Sequence, residues 1–284
     1  MLMARSRAAV LGSPIEHSLS PVLHRAAYAE RGLHDWAYSS HDVKVPELRD
    51  FLLSLGPHWR GLSITMPLKE EALMVAEQAS PTALQVGAAN TLIRRNDGGW
   101  DAENTDVHGA TAALAGAFAT TSKPITSAAV IGSGATARAV LAGLHHLNVQ
   151  AVTFVVRKGV RESTRAQALD HGFSLNSVNF TDPVGDWAQA DVLVNTTPSG
   201  AATPLAAALE QTQAPSGQVV LDCSYADWPT DFAQACEQRG STVVSGVEML
   251  VHQAAAQFEL MTGLQAPVEA MQTAGRAALS ADRA

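Results

Sequence analysis

VIGSGATARAVL, residues 130–141, is the stretch whose reading decides the fold. A β-prone run, SAAVIG (127–132), meets Gly132, Gly134 and Ala137 in a G-x-G-x-x-A spacing, and a helical stretch follows from about 135 to 147. The first glycine of such a turn permits the tight bend, and the second lets backbone approach a pyrophosphate. The third small residue lets helix pack closely on strand. Unpaired N–H groups at the helix start then face an anion, with the dipole in favour. Glycine turns of this kind are common. Strand before and helix after make this one a dinucleotide site, with Gly132, Gly134, Ala135 and Ala137 as its contacts.

The next strand, AVTFVV (151–156), tests which dinucleotide. An NAD site normally carries an acid about 20 residues beyond the glycines, to hold the ribose 2′-hydroxyl. No acid stands between Ala151 and Arg161; Arg157, Lys158 and Arg161 do instead. Guanidinium groups pair with a 2′-phosphate and stack on adenine, so NADP is expected rather than NAD. The alternative is an ordinary basic surface loop.

Outward from this unit the βα rhythm continues in both directions. Strands are expected at DVLVNTT (191–197), QVVLDCS (218–224) and STVVS (241–245). Upstream, TTSKPITS (120–127) reads as a connector after a helical stretch from Val107. The first third alternates strands at 7–13, 36–43 and 60–66 with helices at 20–32, 45–56 and 69–79. That order predicts an α/β protein of two domains, the N-terminal one a mainly parallel sheet covered by helices. A last helix, GVEMLVHQAAAQFELMTG (246–263), either packs in the second domain or returns to the first.

Bulk properties narrow the function. A chain of 284 residues with 46% hydrophobic content buries a proper core. A net charge of −8 argues against nucleic-acid or anionic-membrane binding through bulk electrostatics. Cys223 and Cys236 are the only cysteines and show no metal-finger spacing, so a reduced, cytoplasmic setting and no metal site are expected. The run before Pro14 is too short for a secretory signal, and no stretch is long enough to span a membrane.

Four polar clusters stand where turns at the sheet edge are expected: EHSLSP (16–21), SITMPLK (63–69), GAANTL (87–92) and ENTDVHG (103–109). Ligands of α/β sheets bind at the carboxyl edge. Ser18 and Ser20 suit a carboxylate; Thr65, Lys69, Asn90 and Asp106 suit hydroxyls or a carbonyl oxygen. Singly, each residue is equally a helix cap or a surface group. Together they fit a small polyhydroxylated acid.

These clusters, with GSGATAR (132–138), VNTTPSG (194–200), DCSYADWPT (222–230) and the last helix, occur in the order seen in shikimate dehydrogenases, and the sequence resembles that family nearly end to end. The resemblance implies a substrate domain at 1–106, completed by 247–284, and a Rossmann-like NADP-binding domain at 107–246. It implies reversible NADP-linked reduction of 3-dehydroshikimate to shikimate, with Lys69 and Asp106 as the catalytic pair. Ser18 and Ser20 match the family's carboxylate-binding serines. Thr65, Asn90 and Gln253 match residues that hold substrate hydroxyls, and Tyr225 a tyrosine near the substrate. Arg157 and Arg161 match the 2′-phosphate clamp, with Lys158 beside them; Thr196 and Gly246 are further cofactor positions. The last helix is then expected to return to the first domain. The sequence departs from the family at Ser63 and Val156, where asparagine is frequent, and at Ala201, where methionine is. A quinate/shikimate dehydrogenase using NAD is the alternative within enzymes, and a non-catalytic ligand sensor the alternative outside them. The first would carry an acid at 151–161, and the second would have lost Lys69 or Asp106. The resemblance carries a small-molecule substrate as partner and leaves monomer or homodimer open.

Overall fold

The structure, a computed structural model, describes residues 6–281; residues 1–5 and 282–284, the ends of the expected first domain, lie outside them. The chain forms two compact units, one of residues 1–106 with 250–284 and one of residues 107–249.

The first unit opens with β1 (Ser6–Gly12), α1 (Ser20–Glu30), β2 (Trp36–Asp42), a 3-10 turn at 45–47, α2 (Leu48–Ser54), β3 (Trp59–Ile64) and α3 (Lys69–Val75). It continues with β4 (Gln78–Ala79), α4 (Pro81–Val86), β5 (Thr91–Arg94) and β6 (Trp100–Glu103). The sheet order is β2-β1-β3-β5-β6-β4. Pairings of β1 with β2, β1 with β3 and β4 with β6 are parallel, while β5 runs antiparallel to both its neighbours. The antiparallel β5–β6 hairpin escapes a periodicity reading because each strand is four residues long. Its cue is the turn at Asn96–Gly99, where Gly98 takes φ 93°, open to glycine at little cost.

α3 also ends earlier than the expected helix at 69–79. Ala76 turns extended, and Glu77 N–H donates to the Trp100 carbonyl at 3.0 Å, so pairing with β6 replaces the last helical turns. Because β5 alone is reversed among the central strands, the ends of β1, β3 and β6 and the start of β5 share one edge. The register sets Ser63 opposite Thr91 and Thr91 opposite Glu103. One sheet face buries Leu11, Leu62, Ile64 and Leu92 against Leu48, Leu52 and Leu68.

α5 (Asp106–Phe118) leads into the second unit, whose elements are β7 (Ser127–Ile131), α6 (Ala135–His146), β8 (Ala151–Val156), α7 (Glu162–Asp170) and β9 (Ser174–Asn179). After a 3-10 turn at 186–189 come β10 (Val192–Asn195), α8 (Thr203–Leu209), β11 (Val219–Asp222), α9 (Asp231–Gln238) and β12 (Thr242–Ser245). All ladders here are parallel, in the order β12-β11-β10-β7-β8-β9. This is the doubly wound order, and the connections diverge between β7 and β10. Val130, Val152, Phe154, Val194 and Leu221 bury one face against α5 and α6. Ile131, Leu193, Val220 and Phe232 bury the other. Strands covered on both faces read as unbroken apolar runs, which is why β7, β8, β10 and β11 are visible in the sequence. The edge strand β9, SLNSVN, is half-exposed and shows no such run. Val156, one of the departures noted above, lies in the core at 7% exposure.

α10 (Gly246–Thr262) and α11 (Val268–Ala281) close the chain. From Leu250 onward α10 belongs to the first unit. There the Phe258 ring lies 5.8 Å from that of Tyr28, and Gln257 donates to the Asn90 carbonyl at 2.9 Å. Of the two placements open to this helix, the return to the first unit is the one observed. Among the described residues no helix is long and apolar enough to cross a membrane.

Candidate active site

In the first unit, the shared edge collects side chains from five separate segments. Lys69 is the first residue of α3, after a cis peptide at Met66–Pro67, and Asp106 is the first residue of α5. Lys69 Nζ lies 2.6 Å from Asp106 Oδ2, with side-chain exposures of 16% and 7%. The pair is thus shielded, but the ammonium retains an opening. Asn90, at 1% exposure, donates from Nδ2 to Asp106 Oδ1 at 2.9 Å, to Thr105 Oγ1 at 2.9 Å and to Gln253 Oε1 at 3.1 Å. Both carboxylate oxygens of Asp106 are therefore engaged, one by a cation and one by an amide. Asn104 accepts from the Asp106 backbone N–H at 3.1 Å and donates to the Ala88 carbonyl at 2.8 Å, so the segments before α5 and β5 are pinned together.

Thr65 sits at the end of β3, its N–H donating to the Leu11 carbonyl at 2.9 Å. The loop after β1 is pressed against it, because a Cβ at Gly12 would collide with the Thr65 methyl and stand 2.8 Å from the Met66 carbonyl oxygen. That loop carries Ser18 and leads to Ser20, the first residue of α1. Ser18 Oγ accepts from the Ser20 N–H at 3.4 Å. Lys69, Asp106, Asn90 and Gln253 are joined by hydrogen bonds, and Thr65, Ser18 and Ser20 lie on the neighbouring turns of the same edge.

Tyr225 lies instead in the second unit, half-buried on the loop after β11, where burial raises its phenol above the usual range. That loop is held by Asp222, which the sequence reading passed over. Asp222 is fully buried and accepts from Asn195 at 2.9 Å, the Ser224 N–H at 3.1 Å and Thr230 at 2.5 Å. Desolvation raises its pKa, opposed by these three donors.

The glycine turn lies at the switch point between β7 and β10. Gly132 adopts φ 101°, a conformation that glycine alone takes easily, and a Cβ there would stand 2.7 Å from Thr196 Oγ1. Thr196 itself donates to the Ile131 carbonyl at 2.7 Å. Gly134 caps α6 with open space around its missing Cβ, so the backbone there is accessible to a ligand. Ala135 opens α6, and Ala137 is buried under it. Arg157 and Lys158 are exposed on the loop after β8, and Arg161 caps α7. Ser133 ties this basic loop to the glycine turn, accepting from the Arg161 N–H at 3.4 Å and, through its carbonyl, from Thr164 at 2.8 Å. An open backbone turn beside exposed cations fits a dinucleotide with a phosphate on its ribose. Gly246 has a packing reason of its own, since a Cβ there would lie 2.6 Å from the Cys223 carbonyl oxygen. Among the described residues no cluster of histidine, cysteine and acidic side chains could hold a metal ion.

The sequence reading also missed Thr91, Tyr38 and Gln257. Gln257 was findable, because it stands one helical turn after Gln253 and so shares its face.

Comparison with known proteins shows the family of the chain. Residues 10–92 match the shikimate dehydrogenase substrate binding domain, and residues 246–274 the shikimate 5′-dehydrogenase C-terminal domain. A shikimate dehydrogenase (NADP(+)) of Methanothrix thermoacetophila is 36% identical over 272 residues, covering 95% of this chain and 97% of the relative. The crystal structure of Mycobacterium tuberculosis shikimate dehydrogenase is 40% identical, with a TM-score of 0.82 over 96% of this chain and 99% of that one. The Thermus thermophilus enzyme, solved in complex with NADP(H) and shikimate, is 31% identical, with a TM-score of 0.77 over 96% and 99% of the two chains. By its sequence and by its fold, the chain belongs to the shikimate dehydrogenase family.

Proposed function

We propose that the protein is an NADP-dependent shikimate dehydrogenase, interconverting 3-dehydroshikimate and shikimate, with residues 1–106 and the C-terminal helices binding substrate and residues 107–246 binding the dinucleotide. The observation that carries the reading is the shielded Lys69–Asp106 pair, 2.6 Å apart, at an edge furnished with hydroxyl and amide groups. When bound, NADPH supplies a hydride to the ketone carbon of the substrate. Lys69 gives a proton from Nζ to the substrate oxygen as negative charge develops there, and takes it back in the oxidative direction. General acid–base catalysis of this kind contributes about 10²–10⁴-fold. Asp106 holds the ammonium in place through Oδ2 and is itself oriented by Asn90 through Oδ1.

Ser18 and Ser20 bind the substrate carboxylate, Thr65, Asn90 and Gln253 its hydroxyls, and Tyr225 its neighbourhood. Gly132, Gly134, Ala135, Ala137, Thr196 and Gly246 cradle the dinucleotide, and Arg157, Lys158 and Arg161 its 2′-phosphate. The net charge of −8 and the presence of two cysteines without metal-finger spacing support a cytoplasmic protein, monomer or homodimer, without nucleic-acid or membrane partners.

The test is nicotinamide absorbance on purified protein, with shikimate or quinate each offered NADP+ or NAD+. Turnover with shikimate and NADP+ well above the other three mixtures is expected. Preference for NAD+ or quinate overturns the cofactor or substrate assignment, and binding without turnover in every mixture moves the protein to a ligand sensor.

A further inference from the structure

Ser63 stands where the family often carries asparagine, and its surroundings assign it a different partner from substrate. It is 3% exposed, and its hydroxyl is used twice: it accepts from the Tyr38 hydroxyl at 2.6 Å and donates to Gln257 Oε1 at 2.7 Å. That fixes the Gln257 amide, so Nε2 faces the other way, donating to Thr91 Oγ1 and to the Asn90 carbonyl, both at 2.9 Å. Thr91 Oγ1, having accepted, donates in turn to Asn90 Oδ1 at 2.9 Å. With Oδ1 occupied, the Asn90 Nδ2 is left facing Asp106 Oδ1.

Every hydrogen along this path runs in one direction, from a buried phenol to the carboxylate that holds Lys69. Tyr38, Ser63, Gln257, Thr91 and Asn90 are each 3% exposed or less, so water cannot replace a lost link. Chains of buried hydrogen bonds polarise one another, and leaving one member unpaired is costly. Thr105 also donates to Asn90 Oδ1, from its N–H at 2.7 Å and from its hydroxyl at 3.2 Å, so the chain is one of three restraints on that oxygen.

We propose that Tyr38, Ser63, Gln257 and Thr91 are positioning residues: their one-way hydrogen-bond chain sets which way the Asn90 amide faces and so keeps an N–H donor on the Lys69–Asp106 pair. The proposal rests on the reading that this pair moves the proton. It places Ser63 in the support of the site rather than against substrate.

The experiment is a cycle of Tyr38→Phe and Thr91→Val, singly and together, with Thr91→Ser as the conservative control, read as kcat and KM for shikimate with NADP+ and as thermal unfolding. Ser63 and Gln257 stand between Tyr38 and Thr91 in the chain, so coupling between the two ends reports the links between. Tyr38→Phe removes one oxygen while keeping the ring stacked on His24 at 4.2 Å, so it is the variant chosen to fold. We expect Thr91→Val to lower kcat about tenfold with KM changed less than about twofold, and Tyr38→Phe to lower it about threefold or more. Thr91→Ser is expected within about twofold of the parent, and the double variant no slower than Thr91→Val alone, because the chain is already cut. Thr91→Ser as slow as Thr91→Val would make the residue a packing group and overturn the proposal. So would losses that multiply in the double variant, or effects confined to KM. If the parent protein does not turn over shikimate, the dehydrogenase reading fails on that result alone. The chain is then judged by unfolding, where non-additive shifts for Tyr38→Phe and Thr91→Val support it and additive shifts overturn it.

Discussion

Lys69 and Asp106, separated by 37 residues, meet at 2.6 Å because each opens a helix at the same edge of one sheet. Neither position is favourable for its neighbour alone: a lysine in a first helical turn opposes the dipole, and a buried carboxylate needs a cation or donors. The pairing offsets both costs and leaves the Lys69 side chain 16% exposed.

Replacing Lys69 with alanine is therefore expected to lower kcat by about 10²-fold or more, with KM for shikimate changed only a few-fold. Steady-state kinetics of the purified variant check this. A rise in KM at unchanged kcat would make Lys69 a binding residue and end the proton-transfer role.

The exposed basic loop makes a second prediction. Each charge-assisted hydrogen bond to a phosphate is worth roughly 1.5–3 kcal/mol. Arg157→Ala combined with Arg161→Ala is expected to raise KM for NADP+ about 10²-fold while leaving KM for NAD+ nearly unchanged. Because these cations are exposed, the parent's preference for NADP+ should shrink between low and high salt. Titrating salt against both dinucleotides measures it.

Gly132→Ala tests the glycine turn. Its φ of 101° is strained for any L side chain, and the new methyl would meet Thr196 Oγ1 at 2.7 Å, where moving the hydroxyl loses its bond to Ile131. Strain of this kind costs about 1–3 kcal/mol. A lower melting temperature together with weakened dinucleotide binding is expected from calorimetry, whereas an unchanged melting temperature would contradict the packing.

His24 predicts the response of stability to pH. It is fully buried, stacked on Tyr38, and desolvation pushes its pKa from 6.5 down to about 4, with Gln257 opposing in part. The unfolded chain therefore binds this proton at higher pH than the folded one. The stability contribution is full above about pH 6.5 and is lost as pH falls from there towards 4. At about 1.4 kcal/mol per pH unit the loss is roughly 3 kcal/mol. Denaturant unfolding between pH 7 and 4.5 should show a flatter profile for His24→Phe than for the parent; equal slopes would sink the assignment.

Much of this protein is legible in the sequence. The turn at Gly132–Gly134 and the apolar runs of β7, β8, β10 and β11 announce a doubly wound unit, because strands covered on both faces must be apolar throughout. Lys69, Asp106 and Asn90 stand out by their chemistry, and Gln253 by family resemblance alone. The hairpin of β5 and β6 does not, since strands of four residues have too little length for a period to show. Nor does the chain from Tyr38 through Ser63, Gln257 and Thr91. Its members come from β2, β3, α10 and β5, and nothing in their local sequence marks a serine as an acceptor from one distant residue and a donor to another. Local sequence determines which elements form, because propensity and periodicity act within a few residues. Which buried hydroxyl faces which amide depends on strand order and register, and these exist only once the sheet has closed around them.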